Sequence, residues 1–86
     1  MASYELFIKP SAAKELEAIS RKSDRTRIVD KIYTLKHDPR PPGCEKLTGQ
    51  DRYRLRQGQF RILYMVADDE RIVTVVKIGH RREVYR

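Results

Sequence analysis

The chain has 86 residues, of which 40% are hydrophobic, a length that accommodates one small domain and excludes a two-domain enzyme. Its net charge of +7 favours an anionic partner, such as nucleic acid or an acidic protein, over a membrane surface. A single cysteine, Cys44, excludes an internal disulfide, and no Cys/His spacing predicts a metal or cofactor site. No apolar stretch predicts a signal peptide or a membrane span, so we expect a cytoplasmic protein.

The N-terminal half is predicted to form a strand followed by two helices. Alternating apolar residues in the segment 3–9 indicate a strand, which Pro10 ends. Ser11 is the predicted N-cap of the first helix, and Ser23 or Asp24 that of the second, which stops before Pro39. The apolar stripe of the first helix is Ala12, Leu16 and Ile19, and that of the second is Ile28, Ile32 and Leu35.

The C-terminal half carries the strand patterns. The proline-rich and glycine-rich segment 39–49 is typical of a connecting loop. Beyond it, Gln57-Gly58 predicts a tight turn between two strands, and Asp68-Asp69 a second reversal before a buried strand over 71–78. This order predicts one α+β domain over residues 1–86, in which a strand and a helical hairpin precede a three-stranded antiparallel meander, with the helices packed on one face of the sheet.

Arginines recur at alternate positions of the predicted hairpin. If Gln57-Gly58 is a two-residue turn, Arg54 lies directly opposite Arg61. Like charges across a ladder are unfavourable, and the segment 52–67 contains no acidic residue that could pair with them. The sequence therefore predicts an electropositive face suited to phosphate, which guanidinium groups bind through paired hydrogen bonds. The face is predicted to collect Arg52, Arg54, Arg56 and Arg61, joined by Arg81 and Arg82 from the end of the next strand.

For any one of these arginines, a solvated side chain that keeps the strands from aggregating is the simpler interpretation, but four on one face favour phosphate binding. His80 follows the last strand and is the side chain near the cluster whose ordinary pKa lies near neutrality, which makes it a candidate for proton transfer. Tyr85 is a candidate for stacking on a nucleobase, although a packing role fits it equally well.

Three runs of sequence resemble the toxins of the RelE/ParE superfamily, and above all its RelE branch. They are Tyr53-Arg54-Leu55-Arg56, Phe60-Arg61-Ile62-Leu63-Tyr64 and Gly79-His80-Arg81-Arg82-Glu83-Val84-Tyr85. The opening strand, the helical hairpin and Lys46-Leu47-Thr48-Gly49 also match, so the resemblance covers the whole chain. It implies the toxin of a type II toxin–antitoxin system, an endoribonuclease that needs no metal or other cofactor and cuts messenger RNA at the ribosomal decoding site.

The resemblance also implies roles for individual residues. The expected reaction is attack of a ribose 2′-hydroxyl on the adjacent phosphate, in which Arg54 and Arg61 stabilise the phosphorane charge, Arg81 binds the leaving side and Tyr85 orients the RNA. The implied partners are a cognate antitoxin, the ribosome and messenger RNA, with operator DNA as a partner of the antitoxin complex and no membrane. The expected catalytic set is Arg54, Arg56, Arg61, His80, Arg81 and Tyr85, and the expected RNA-binding set is Arg52, Arg82 and Arg86.

One departure from the family concerns the proton acceptor. The best-known RelE toxins carry lysine where Arg54 and Arg56 stand, and an arginine, with a pKa above about 12, does not give up its proton in proteins. We therefore assign proton transfer to His80 or Glu83, while the arginines act electrostatically.

Two other functions remain open on the sequence. A ParE-like inhibitor would block DNA gyrase through protein contact, without nuclease activity, and would need exposed apolar anchors, for which Leu63 and Met65 are candidates. An inactive relative would only join its antitoxin in transcriptional repression.

Overall fold

The computed structural model describes residues 3–49 and 51–82, and seven helices and strands follow one another along these residues. The first strand is short, the two helices follow it directly, and the remaining strands occupy the second half of the chain. The bounds are β1 Glu5–Ile8, α1 Pro10–Glu17, α2 Lys22–Thr34, β2 Glu45–Lys46, β3 Arg52–Gln57, β4 Phe60–Ala67 and β5 Ile72–His80.

The strands form one mixed sheet of five in the order β1-β5-β4-β3-β2. Strands β3, β4 and β5 pair antiparallel, as the predicted meander requires, and β1 pairs parallel to β5. The helical hairpin lies between β1 and the later strands in the chain, which provides the long crossover that a parallel pair needs. The small α+β fold predicted from the sequence is therefore confirmed, with β5 as an interior strand.

The core lies between the helices and one face of the sheet. Both predicted helical stripes contribute to it, since Ala12 and Ile28 are fully buried and Leu16 packs against the buried cluster. Ile19 also packs there, but it follows the end of α1 at Glu17 and is not in the helix as predicted. Alternate residues of the central strands complete the core. Neither helix in the described part of the chain is long and apolar enough to span a membrane. The buried cluster is Ala12, Ile28, Ile32, Leu35, Leu55, Ile62, Tyr64, Val73, Val75 and Ile78.

Both helices begin before the positions predicted for them. Lys9 is the N-cap of α1, and Pro10 occupies the first turn, where its fixed φ suits a helix and its missing N–H has no partner to lose. Ser11 is therefore inside the helix and is not its cap. Arg21 is the N-cap of α2, so Ser23 and Asp24 lie in the first turn, where the Asp24 carboxylate complements the helix dipole.

The turn between β3 and β4 is also displaced by one residue from its prediction. Gln57 pairs with Phe60, which makes Gly58 and Gln59 the loop residues. Gly58 has φ +59°, and a positive φ at the first loop position is what a type II′ hairpin requires of its glycine. Arg61 consequently lies opposite Arg56, not opposite Arg54 as predicted.

The segment predicted as a plain connector contains β2 and a polar clamp. The Arg40 guanidinium binds Asp68 through two hydrogen bonds of 3.0 and 2.7 Å and donates a third, of 2.9 Å, to the Tyr53 hydroxyl. The Tyr4 hydroxyl donates to the same Asp68 carboxylate at 2.9 Å. Hydrogen bonds from Arg40, and then from Tyr4, lower the pKa of Asp68 to about 2. This clamp ties β1, the connector and the β4–β5 turn together.

A hydrogen bond from the core also fixes the connector. The Tyr64 side chain is fully buried, stacks on Tyr53 with ring centroids 5.6 Å apart, and donates its hydroxyl to the Pro39 carbonyl at 2.8 Å. Burial raises the pKa of Tyr64, so this hydroxyl stays protonated and keeps its role as a donor.

We expect Asp68→Asn to destabilise the protein at neutral pH, because the amide cannot accept both guanidinium bonds as a carboxylate does. The folded-state pKa of Asp68 lies below its ordinary value of 3.8, so the ionised carboxylate stabilises the fold above that pH and loses this effect as the pH falls toward 2. Melting temperatures of wild type and variant should therefore differ at neutral pH and converge in acid. Asp69→Asn, in the same turn, is the control, and equal melting of all three proteins at neutral pH would contradict the expectation.

Candidate nucleic-acid interface

The sheet face turned away from the helices, which we call the open face, carries the predicted arginines. Arg56 and Arg61 are paired directly across β3 and β4, and alternation along β3 puts Arg52 and Arg54 on the same face. The opposite residues, among them Leu55 and Ile62, are in the core. The displaced turn does not change which residues lie on this face. It moves the partner of each β4 residue by two positions along β3, and side chains of a strand return to the same face every two residues.

Arg61 is the most unusual residue of the open face. Its side chain is buried, with 7% of the residue exposed. One terminal nitrogen donates to the carbonyls of Phe60 and Gly58, at 3.0 and 3.4 Å, while its Nε has no hydrogen-bond partner. Within residues 3–49 and 51–82, no carboxylate forms an ion pair with it. A buried charge without a counter-ion is unfavourable for folding, and an anion bound at this position would relieve it.

The charge of Arg54 is neutralised by a residue of β2, a strand that was not predicted from the sequence. Glu45 of β2 lies directly opposite Arg54, and their side chains form an ion pair with an N–O distance of 2.5 Å. The absence of acidic residues from 52–67 therefore does not leave every arginine without a carboxylate partner. The Arg54 side chain is only 16% exposed, whereas that of Glu45 is 51% exposed, so the carboxylate is the accessible member of the pair.

Glu45 is the functional candidate that sequence reasoning missed. A two-residue strand inside a proline-rich and glycine-rich segment has no detectable periodicity, so alternation could not show that Glu45 would face the arginines. The signal that could have found it is the acidic residue two positions before Leu47, which packs on the open face against Leu63 and Val76.

The chain after β5 returns to the hairpin that carries the arginines. The Arg81 backbone N–H donates to the Gln59 carbonyl in the β3–β4 loop at 2.8 Å. Arg81 and Arg82 are exposed in the turn that follows, and Gly79 lies opposite Arg61. The structure thus places these two arginines at the end of the sheet where Arg56 and Arg61 lie. Tyr85 and Arg86, with Glu83, lie outside the described residues.

His80 is separated from the arginines by the sheet. It pairs with Phe60, whose ring packs on the core side and meets the imidazole edge-on at 6.0 Å. Its Nε2 lies 3.1 Å from the Gln59 side-chain oxygen, and its Nδ1 accepts the Arg82 N–H at 3.4 Å. Both ring nitrogens therefore brace the turn after β5. The imidazole lines a cleft of about 440 Å³ on the helix side of the sheet.

The apolar side chains of the open face divide into a buried and an exposed group. Leu63 is 7% exposed, because it packs against Val76 and Leu47, so it is not the accessible anchor that the sequence indicated. Met65 is 40% exposed and remains a candidate anchor for a protein partner. In the described part of the chain, no three His, Cys, Asp or Glu side chains converge as metal ligands do.

Comparison with known proteins places this geometry in a family. The model of the ParE toxin of the type II toxin–antitoxin system parDE matches residues 6–85. The RelE1 protein of Methanocaldococcus jannaschii is 37% identical over 68 residues, which cover 74% of this chain and 76% of that protein. The chain belongs to the RelE/ParE toxin superfamily. It is therefore a toxin of the type II toxin–antitoxin class, as the three sequence runs predicted.

Solved structures of RelE/ParE toxins share the whole architecture. The archaeal RelE–RelB complex from Pyrococcus horikoshii matches with a TM-score of 0.79 at 25% identity, covering 92% of this chain and 96% of that one. The intact RelBE toxin–antitoxin complex of E. coli matches with a TM-score of 0.76 at 28% identity, covering 91% and 96%. Both relatives were thus crystallised with a partner antitoxin.

For this RelE/ParE toxin we expect Arg61→Met to stabilise the fold. Methionine fills a similar volume without a buried charge, so the free energy of unfolding in urea should rise by about 1 kcal/mol or more. Arg56→Met, opposite it but exposed, is the matched control and should stay within about 0.5 kcal/mol of wild type. A clear loss of stability in Arg61→Met would show that the guanidinium is a structural group and not a ligand-binding one.

Proposed function

We propose that this toxin is a ribosome-dependent endoribonuclease that cleaves messenger RNA at the decoding site without a metal. The observation that carries the proposal is Arg61, a buried guanidinium that has no carboxylate partner in the described residues and lies opposite Arg56 on the open face. Such a group stabilises an anion strongly because little water competes with it. The RelE-type relatives at 25% identity and above support the same assignment.

The reaction is an attack of the ribose 2′-oxygen on the adjacent phosphorus. A bond forms between these two atoms, the bond from phosphorus to the 5′-oxygen breaks, and the departing oxygen takes a proton from water. Arg61 and Arg54 stabilise the extra charge on the phosphorane, and Arg81 binds the leaving side. Arg56 is the exposed guanidinium across from Arg61. Positioning of the message is assigned to Arg52, Arg82, Tyr85 and Arg86.

The proton of the 2′-hydroxyl needs an acceptor on the same face. Arginine cannot serve, and His80 uses both ring nitrogens on the helix side. Glu45 contacts Arg54 within the arginine cluster and is half exposed, so its carboxylate is the described group best situated to take the proton. In this scheme His80 holds the turn that carries Arg81 and Arg82, and Glu45 replaces it as the base. His80→Gln should therefore retain cleavage on programmed ribosomes.

The proposed partners follow from the charge of the open face and from the relatives. A cognate antitoxin would silence the toxin, as the RelB complexes of the relatives suggest, and an acidic segment would complement the net charge of +7. The ribosome and messenger RNA are the proposed target, and the toxin–antitoxin complex is a candidate for binding operator DNA.

A second function, ParE-like inhibition of DNA gyrase by protein contact, has one observation in its favour, because the matching family model is that of a ParE toxin. Of the two apolar anchors predicted for it from the sequence, Leu63 is buried and Met65 is exposed. The two functions predict different lesions in cells. Brief induction with mapping of message ends gives cuts within codons for the nuclease, and intact messages with an SOS response for the gyrase inhibitor.

We expect Arg61→Met to lower the rate of message cleavage on programmed ribosomes by about a hundredfold or more, because the group that stabilises the phosphorane charge is lost. A gain in stability measured for the same variant would exclude misfolding as the reason. Lys31→Met, on α2, is the control for a removed positive charge and should cleave at the wild-type rate. Full cleavage by Arg61→Met would exclude any nuclease mechanism in which this guanidinium stabilises the phosphorane.

We expect Glu45→Gln to lower the cleavage rate by about a hundredfold while binding to programmed ribosomes is kept, because the amide cannot accept a proton. Glu5→Gln, on the strand at the opposite edge of the sheet, is the matched control and should leave the rate unchanged. Single-turnover cleavage and ribosome cosedimentation measure the two steps separately. If Glu45→Gln cleaves like wild type, another group accepts the proton.

A further inference from the structure

Strand β5 extends well beyond the strand beside it. Pairing of β1 with β5 ends at Ile8 and Val75, and the Lys9 N–H donates the last bond to the Val75 carbonyl at 3.0 Å. Among the described strands, β4 is therefore the one neighbour of β5 from Val76 to His80. A buried strand edge without partners leaves backbone N–H groups unsatisfied, which costs stability.

Glu15 of α1 takes the place of the missing strand. One carboxylate oxygen accepts the backbone N–H of Ile78 at 3.0 Å, and the other accepts the Lys77 ammonium at 2.9 Å. Ile78 is 1% exposed, and the carboxylate satisfies its backbone N–H at the edge of the sheet. The Glu15 side chain is about one-third exposed, at 33%, which places its carboxylate at the sheet edge.

This contact falls just after an irregularity in the sheet. The register between β4 and β5 shifts between Leu63 and Tyr64, so that Leu63 pairs with Lys77 but Tyr64 pairs with Val75, and Val76 is left as the extra residue. A bulge weakens the local pairing and bends the strand. After the bulge, the last residues of β5 pair with β4, and Glu15 adds a fixed point on their other side at Ile78.

The end of β5 supports the proposed active site at two positions. Gly79, the next residue, lies opposite Arg61, and Arg81 begins the exposed turn that is bonded to Gln59. We propose that Glu15 is a positioning residue for cleavage, which holds β5 in the register that seats Arg61 and delivers Arg81 to the open face. It touches neither RNA nor phosphate and acts through the backbone of Ile78. This inference rests on the proposed nuclease function.

The experiment separates the two bonds that Glu15 makes. Glu15→Ala removes both, Glu15→Gln keeps an oxygen for the Ile78 N–H, and Lys77→Met removes the ion pair alone. Glu17→Ala, an exposed residue of the same helix, is the matched control. For each protein, kcat and KM are measured on programmed ribosomes, and hydrogen exchange is measured at the Ile78 amide.

We expect Glu15→Ala to exchange the Ile78 amide about tenfold faster and to lower kcat by about tenfold to a hundredfold at a KM within about twofold of wild type. Glu15→Gln should restore both values to within about threefold of wild type, and Lys77→Met and Glu17→Ala should resemble wild type. This pattern separates positioning from a general loss of stability, which would lower the melting temperature and leave kcat per folded molecule unchanged.

Three results would overturn the inference: unchanged exchange at Ile78 in Glu15→Ala, unchanged kcat in that variant, or equal damage in Glu15→Gln and Glu15→Ala. If wild-type toxin fails to cut message on ribosomes, the proposed function fails and the catalytic role of Glu15 fails with it. The exchange measurement still decides in that case whether Glu15 fixes the end of β5, so the two failures are distinguishable.

Discussion

The structure depends on one unfavourable feature, a guanidinium held out of water with no carboxylate among the described residues to neutralise it. Arg61 is fixed by carbonyls of its own hairpin, which orient the group but leave its charge uncompensated. A small domain has little stability to spare, so a residue of this kind is retained at a cost to folding. The neighbouring arginines add to the positive electrostatic potential of the open face. Within the described residues, Arg54 is the arginine of this face that has an acidic partner, Glu45. The uncompensated charge of Arg61 is what supports the proposal that the open face binds an anion.

The fold brings this face together from parts that are distant in sequence. The β3–β4 hairpin supplies the paired arginines, β2 supplies the carboxylate beside Arg54, and the turn after β5 supplies Arg81 and Arg82. Each part is held by contacts outside the face itself. The Arg40–Asp68 clamp fixes the connector that leads to β2, and Glu15 fixes the last residues of β5. The helices thus support the open face from the other side of the sheet, where they pack.

Alternation made much of this predictable. The two-residue period of β3 and β4 places the arginines on one face and Leu55 and Ile62 on the other, and an error in the turn did not change that result, because the error moved the pairing by an even number of positions. Local signals failed where tertiary pairing decides. Strand β2 has two residues and no period of its own, so Glu45 could not be placed opposite Arg54. His80 was expected beside the arginines because it adjoins Arg81 in sequence, yet successive strand residues point to opposite faces, and its pairing with Phe60 puts it on the helix side.

The parallel pairing of β1 with β5 also affects how the toxin is made. The β3–β4 hairpin closes between residues adjacent in the chain, whereas Glu5 must find Ile72, a partner synthesised long after it. A nascent chain that has emerged only as far as the arginine hairpin still lacks the strand between β1 and β4, and hence both the seat of Arg61 and the turn that bears Arg81. The topology therefore delays assembly of the cationic surface until β5 has been synthesised and can pair with both β1 and β4, so a shorter nascent chain lacks that surface.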